Sequence, residues 1–304
     1  MNPKCAPRAA LHPQGYWADT AALHGAVLLF GLAGLFGKWV VASPLVIVFG
    51  RVLVATLAFA VLRGLWPALG GCAGAARPPG PRALLGLWAC GALLAFHWVT
   101  FFQAIQVSTV AVGLLAYSTA PVFVVLLEPL WFRERFSAHA LACAALTIAG
   151  VALIVPRWAP GEALLQGAAW GVLAGLSFAV LSLCNRALVR VHSALRVALH
   201  QDAAAMVLLA PLLPWVWQPL SGRDLALLAV LGLACTALAH TLFIRALAVL
   251  RARVAAIASA LEPVYGIALA WLLLDEVPAR RTLAGGALIL AAVLWSTLRR
   301  EPEA

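Results

Sequence analysis

Charge is what this sequence has least of. Asp, Glu, Lys and Arg together make up 11% of its 304 residues, against roughly 25% in ordinary soluble domains. A folded chain in water needs polar cover, and a composition that is 64% hydrophobic cannot supply it. A soluble domain is excluded, and lipid must face most of the surface. The cysteines (Cys5, Cys72, Cys90, Cys143, Cys184, Cys235) stand singly with no CxxC pair, so no metal or redox centre is expected. The sequence also lacks HExxH, a nucleophile elbow and a phosphate-binding P-loop. That argues against a membrane-embedded hydrolase and against direct ATP drive, and no cofactor is expected. The first 20 residues carry Lys4, Arg8 and Asp19 without an apolar core, so no cleavable leader is expected there.

What is present is a series of apolar runs near 22–42, 45–63, 83–104, 110–131 and 138–155, then 166–185, 197–217, 225–245, 254–274 and 282–298. A membrane crossing takes roughly 20 apolar residues. The runs show no period-2 alternation, so they read as helices rather than barrel strands. The expected fold is all-α and polytopic, with ten transmembrane helices.

Basic residues orient the chain. With the N-terminus inside, Lys4, Arg8, Arg63, Arg77, Arg82, Arg133, Arg135, Arg186, Arg190, Arg196, Arg245, Arg251, Arg253, Arg299 and Arg300 fall on the cytoplasmic side. Only Arg157, Arg223, Arg280 and Arg281 fall outside, while Lys38 and Arg51 lie within spans. Both termini are therefore placed in the cytoplasm, in a multi-pass protein of the cell membrane. The same asymmetry accounts for the net charge of +10, and no nucleic-acid partner is expected.

The chain also matches itself. Shifted by 142 positions, residues 85–151 align without a gap on 227–293, and 19 of the 67 positions are identical, where this composition gives roughly 7 by chance. Phe101 meets Phe243, Pro121-Val122 meets Pro263-Val264, and Glu134 meets Glu276. With a one-residue change of shift, Leu32-Ala33-Gly34-Leu35 meets Leu173-Ala174-Gly175-Leu176. The expected units are a cytoplasmic segment 1–21, a first repeat 22–155, a second repeat 166–298 and a tail 299–304. Five helices per repeat is an odd number, so the second copy enters from the opposite side. Inverted repeats of this kind are characteristic of secondary transporters, with the site between the copies.

Three segments carry a family resemblance. They are Phe96-His97-Trp98-Val99-Thr100-Phe101-Phe102-Gln103-Ala104-Ile105, then Ala120-Pro121-Val122-Phe123 through Arg133-Glu134-Arg135, and Glu262-Pro263-Val264-Tyr265 through Asp275-Glu276. In both halves a proline is followed 13 residues later by a glutamate. The chain resembles the EamA-domain branch of the drug/metabolite transporter superfamily over roughly 22–298. The resemblance implies ten helices, alternating access, and export of amino acids or other small, amphipathic metabolites. Ala120 stands where the second half has Glu262, and Glu128 is an additional acid; both depart from a symmetric ion-binding scheme. A channel or lipid scramblase, and a membrane-embedded enzyme, are the competing classes.

Ionisable groups at membrane depth face a cavity or a partner. On that ground the expected substrate cavity is lined by Arg51, His97, Trp98, Phe101 and Tyr117 from the first half and by His240, Glu262 and Tyr265 from the second. Pro121 and Pro263 are expected hinges, since each removes a helical hydrogen bond. Lys38 is expected to snorkel to the outer interface, and Asp202 to pair with Arg196 or sit at the cytoplasmic mouth. Glu128 is expected to pair with Arg133 and Arg135. Glu134 and Glu276 are expected to serve the first turns of spans five and ten. Gly31, Gly34, Gly37, Gly171 and Gly175 follow close-packing spacing, and Trp170 lines the cavity or anchors at the interface. Partners are a small-molecule substrate, the bilayer and, as an option, a coupling proton carried by Glu262 or a histidine; monomer and homodimer both stay open.

The topology is directly measurable. Reporters fused after Ala304 and near Arg133 should read cytoplasmic and one near Arg157 external; opposite readings would reverse the orientation drawn from the basic residues.

Overall fold

The computed structural model describes residues 13–65, 80–132, 138–155, 161–188, 192, 194–247 and 261–298. Within them the chain is helical, with no strand among the described residues. The first half contains α1 (Pro13–Trp39), α2 (Pro44–Leu65), α3 (Pro81–Val107), α4 (Val110–Tyr117), α5 (Ala120–Phe132) and α6 (Ala138–Ile154). The second contains α7 (Ala163–Leu188), α8 (Ala194–Leu209) with a 3-10 extension Ala210–Trp215, α9 (Gly222–Gly232), a π turn Leu233–Leu238, α10 (Ala239–Leu247), α11 (Glu262–Leu274) and α12 (Arg280–Leu298). Among the described residues six helices are long and apolar enough to cross a membrane, and Val110–Val124, Leu141–Ile154 and Glu262–Leu274 are shorter apolar helices.

These elements coincide with the expected runs, with four differences. α1 is described from Pro13 onward, ahead of the expected start near residue 22. The fourth run is two helices, parted at Ser118-Thr119. Pro121 has no N–H to give the Tyr117 carbonyl, and the Ser118 and Thr119 hydroxyls instead donate to the carbonyls of Leu114 (2.8 Å) and Ala116 (2.7 Å). The eighth run contains the π turn. The ninth is described only from Leu261 onward, so its earlier part, with Ser259, lies outside the described residues.

The surface is apolar where a soluble protein would be polar. Val41, Leu85, Ile148, Leu272 and Val277 are exposed, as are Trp215, Trp217 and Trp271. Such a surface suits hydrocarbon with tryptophans toward its margins. The interior is a continuous core of Phe36, Ile47, Phe102, Ile105, Leu114 and their neighbours.

The helices of the two halves interleave. α3 packs on α7, and α1 on α10; α4 and α5 pack on α7, and α1 on α11; α3 packs on α8, and α2 on α9 and the π turn. α2 with α8, α4 with α11, and α6 with α12 complete the set. Close crossings depend on glycine. A Cβ on Gly31 would stand 2.9 Å from the Glu262 carbonyl and the Gly266 nitrogen, both backbone atoms of α11. A Cβ on Gly171 would stand 2.6 Å from Ala116.

One end of the bundle is closed by bonds from side chains to backbone. Lys38 Nζ donates to the Ser108 carbonyl (2.7 Å) and Gln106 to the Ala42 carbonyl (2.8 Å). Asp224 accepts from the Val41 N–H (3.0 Å), and Glu276 from the Val110 N–H (2.9 Å). Lys38 is thus tied down rather than snorkelling. Glu276 serves the first turn of α4, not that of the tenth span: the attraction of a helix N-terminus for an anion is met across the halves. Glu134 lies outside the described residues, as does the side chain of Glu128.

Because backbone cannot retreat as a side chain can, Gly31→Leu should destabilise the α1–α11 crossing by about 1–3 kcal/mol. A lowered thermal midpoint in detergent checks it, with Gly25→Leu, where a Cβ meets nothing within 4 Å, as the control.

Candidate functional site

A cavity of about 100 Å³ lies in the middle of the helices, lined by residues of both halves. From the first half come Phe30, Ala33, Arg51, Leu94, His97, Trp98, Phe101 and Tyr117; from the second, Phe178, Leu181, Asn185, Cys235, Thr236, His240, Phe243 and Glu262.

Arg51 is its electrostatic centre. The side chain is 3% exposed, and its guanidinium carbon lies 3.9 Å from the centroid of the Trp98 ring, with Phe102 at 5.6 Å. Away from water such a cation–π contact contributes about 2 kcal/mol or more. Arg51 Nε donates to Thr236 Oγ1 (3.0 Å), and that hydroxyl donates to the Leu231 carbonyl (2.9 Å). Thr236 lies within the π turn, five residues on from Leu231. Its hydroxyl thus ties the guanidinium to the backbone of α9. Glu262, 8% exposed, faces the same cavity from the first turn of α11.

The remaining wall is aromatic. His97, Tyr117 and Phe178 form a mutual cluster with ring centroids 5.2–5.6 Å apart, and Phe101 lies 5.5 Å from Tyr117. On the other side Phe30 meets Phe243 (5.7 Å) and His240 (6.4 Å), and His240 meets Trp98 (6.2 Å). His97 Nδ1 is 2.9 Å from the Ala174 carbonyl; a carbonyl only accepts, so Nδ1 carries a hydrogen and donates it. His240 Nδ1 is buried without a hydrogen-bond partner among the described residues.

The structure thus brings Arg51, His97, Trp98, Phe101, Tyr117, His240 and Glu262 around one space, and places Tyr265 elsewhere. Tyr265 packs with Leu23 and Val27 of α1, its hydroxyl 3.5 Å from His24 Nδ1. Three residues on from Glu262, it falls on the part of α11 that meets α1. Pro121 and Pro263 occupy the first turns of α5 and α11. Trp170 is 37% exposed and does not line the cavity. Asp202 is 0% exposed, which rules out the cytoplasmic mouth.

Phe30, Phe178 and Asn185 were not expected. A signal existed for two of them. Phe30 continues the small-residue face of α1 at i, i+4, i+7 with Gly34 and Gly37, and Phe178 continues that of α7 with Gly171 and Gly175. A face that lets helices approach closely also points at the molecular centre.

Apolar helices of membrane-spanning length around a charged and aromatic cavity define a polytopic membrane protein. The profile of the EamA-like transporter family matches residues 19–155 and again 165–298, and the chain belongs to that family. A Streptantibioticus cattleyicolor protein named "Probable terminal-alkyne amino-acid exporter" is 31% identical over 84% of this chain and 85% of its own length. An S-adenosylmethionine uptake transporter of Rickettsia felis is 25% identical over 67% of this chain and 69% of its own. A crystal structure superimposes with a TM-score of 0.64 at 22% identity, covering 93% of this chain and 98% of that one, and shows the same fold. The family and the relatives' names are those of transporters, not enzymes.

Thr236→Val preserves the shape of the side chain while removing both of its hydrogen bonds. It should lower stability by about 1–3 kcal/mol, read as a lower thermal midpoint, and should raise the KM for any solute that binds Arg51.

Proposed function

We propose that this protein is a secondary transporter of small amphipathic metabolites bearing an α-amino-acid group, working by alternating access between two inverted five-helix repeats. The observation that carries the reading is a fixed cation and a carboxylate in one aromatic-lined cavity. Arg51 would take the solute carboxylate and Glu262 its ammonium group, while Trp98, Phe101, Tyr117 and Phe178 receive the apolar remainder. Opposite charges held apart in a low-dielectric space suit a zwitterion, because each solute charge finds a partner as it loses water.

Two observations support the inverted layout. Each packing of one half on the other has a counterpart with the halves exchanged: α3 on α7 with α1 on α10, α4–α5 on α7 with α1 on α11, α3 on α8 with α2 on α9. The repeat-matched pairs Trp98 with His240, and Phe101 with Phe243, also line the same cavity. A site on the pseudo-twofold axis is where rocking of one repeat against the other gives access from alternate sides. The two relatives are named for substrates that each carry an amino-acid group, one for export and one for uptake. Export is the direction the family resemblance implies; in a carrier, net direction follows the gradients and the coupling ion.

The test is transport by the full-length chain in liposomes. Labelled methionine and S-adenosylmethionine should move saturably and exchange with unlabelled solute, whereas a channel would show neither saturation at low concentration nor counterflow. Glu262→Gln should reduce uptake of zwitterions at least tenfold and spare solutes that lack the ammonium group. Equal loss for both kinds of solute would make Glu262 a structural residue.

A further inference from the structure

The site above leaves one buried acid unused. On α8, Ala198, Asp202, Ala205 and Leu209 recur at i, i+4, i+7 and i+11, and so share a face. Ala198 is buried with Ala55 and Phe59 of α2 and Ala237 of the π turn. Ala205 and Leu209 belong to the main core with Val48 and Val52 of α2. Asp202 lies between these two sets, 0% exposed and outside the cavity lining. Neither of its carboxylate oxygens has a hydrogen-bond partner among the described residues.

An unpartnered anion in such a place is strongly disfavoured, and the neutral acid far less so. The charge that acts on Asp202 is Arg51, from the facing helix α2. The other titratable residues on the surrounding elements are Arg63 of α2, Arg82, Cys90 and His97 of α3, Cys235 of the π turn, His240 and Arg245 of α10, and Arg196 and His200 of α8 itself. None is an acid. Arg51 in turn feels two carboxylates, Asp202 and Glu262. One guanidinium thus feels both an acid that lines the solute space and an acid outside that lining. A metal cation would need several oxygen ligands, and alanine and phenylalanine side chains offer none; a proton needs one.

We propose that Asp202 is a proton-binding site, separate from the solute cavity and linked to it through Arg51. The inference rests on the carrier reading for its consequence, though not for the site itself. The step is simple: a proton from water adds to one Asp202 oxygen, forming an O–H bond, and the carboxylate charge is lost. While anionic, Asp202 competes with a solute carboxylate for the field of Arg51. A solute carboxylate on Arg51 places a second negative charge nearby and favours the protonated acid. The linkage is reciprocal: solute binding takes up a proton, and falling pH tightens the binding of carboxylate-bearing solutes. Glu262 acts with the opposite sign, because it must be anionic to hold an ammonium group. Proton and solute then travel together, and an inward proton gradient drives uptake.

The proton itself can be read without any solute. Infrared spectra of the full-length chain in liposomes at neutral pH should contain a protonated carboxylic-acid carbonyl band. That band should be lost in Asp202→Asn and kept in Glu262→Gln; a spectrum unchanged by Asp202→Asn overturns the proposal. If Asp202→Asn fails to reconstitute, Asp202→Glu decides, since it should shift the band, and an unshifted band overturns the proposal. In transport, an inward pH gradient should accelerate labelled methionine uptake by the wild type. Asp202→Asn should lose the acceleration and keep exchange, and acceleration that survives the substitution overturns the linkage. Loss of the band without methionine movement in the wild type upholds the proton site and counts against the solute reading instead.

Discussion

Lipid offers no hydrogen bonds, so a chain in a bilayer must satisfy its backbone within its own helices. Every departure from the regular helix therefore needs protein around it. Among the described residues, the Ser118-Thr119 break before Pro121, the π turn Leu233–Leu238 and the start of α11 at Glu262 adjoin the central cavity, while the 3-10 extension Ala210–Trp215 does not. At the first two, hydroxyl groups add bonds to the backbone, with Ser118, Thr119 and Thr236 each donating to a carbonyl a turn or so earlier. Irregular backbone and polar site thus adjoin at the centre.

Electrostatics follows from that placement. Arg51 is not held by a close carboxylate; its partners among the described residues are a ring face and a hydroxyl. Both are weak enough, compared with a bidentate ion pair, to leave the charge responsive to what enters the cavity. A full ion pair would stabilise the empty state and oppose any solute anion. A stacked guanidinium stays oriented without being neutralised.

The gross fold was legible because a bilayer admits so few solutions: length and apolarity alone placed the spans, with ends mostly within a few residues. The cavity was legible in outline because Arg51, His97, His240 and Glu262 are too costly at depth to face lipid. What could not be read was side-chain direction within a turn. Tyr265, three residues past Glu262, goes to His24 and α1 instead. The π turn leaves no compositional mark, so the bond between Arg51 and Thr236 could not be foreseen although Thr236 is one turn from His240. Asp202 was left between a link to Arg196 and a place at the mouth because it lies about one turn into its span, and sequence position says nothing of what α2 and α3 cover. Glu276 was read correctly as serving a helix N-terminus, but the helix belongs to the other half, a pairing that local reasoning cannot reach.

The closure at the end of the bundle has an evolutionary corollary. Lys38, Gln106, Asp224 and Glu276 each bond to a main-chain atom of the segment they hold, at Ser108, Ala42, Val41 and Val110. Main-chain groups are the same whatever side chain they carry. Substitution at the positions that contribute only main chain therefore leaves these bonds available, and no compensating change is required in the side chain that makes the bond. Pairs joined in this way carry little correlated variation, so a search for co-varying positions would pass over the contacts that shut this end of the molecule. Descendants of such a sequence could diversify the rim freely while inheriting the same closure.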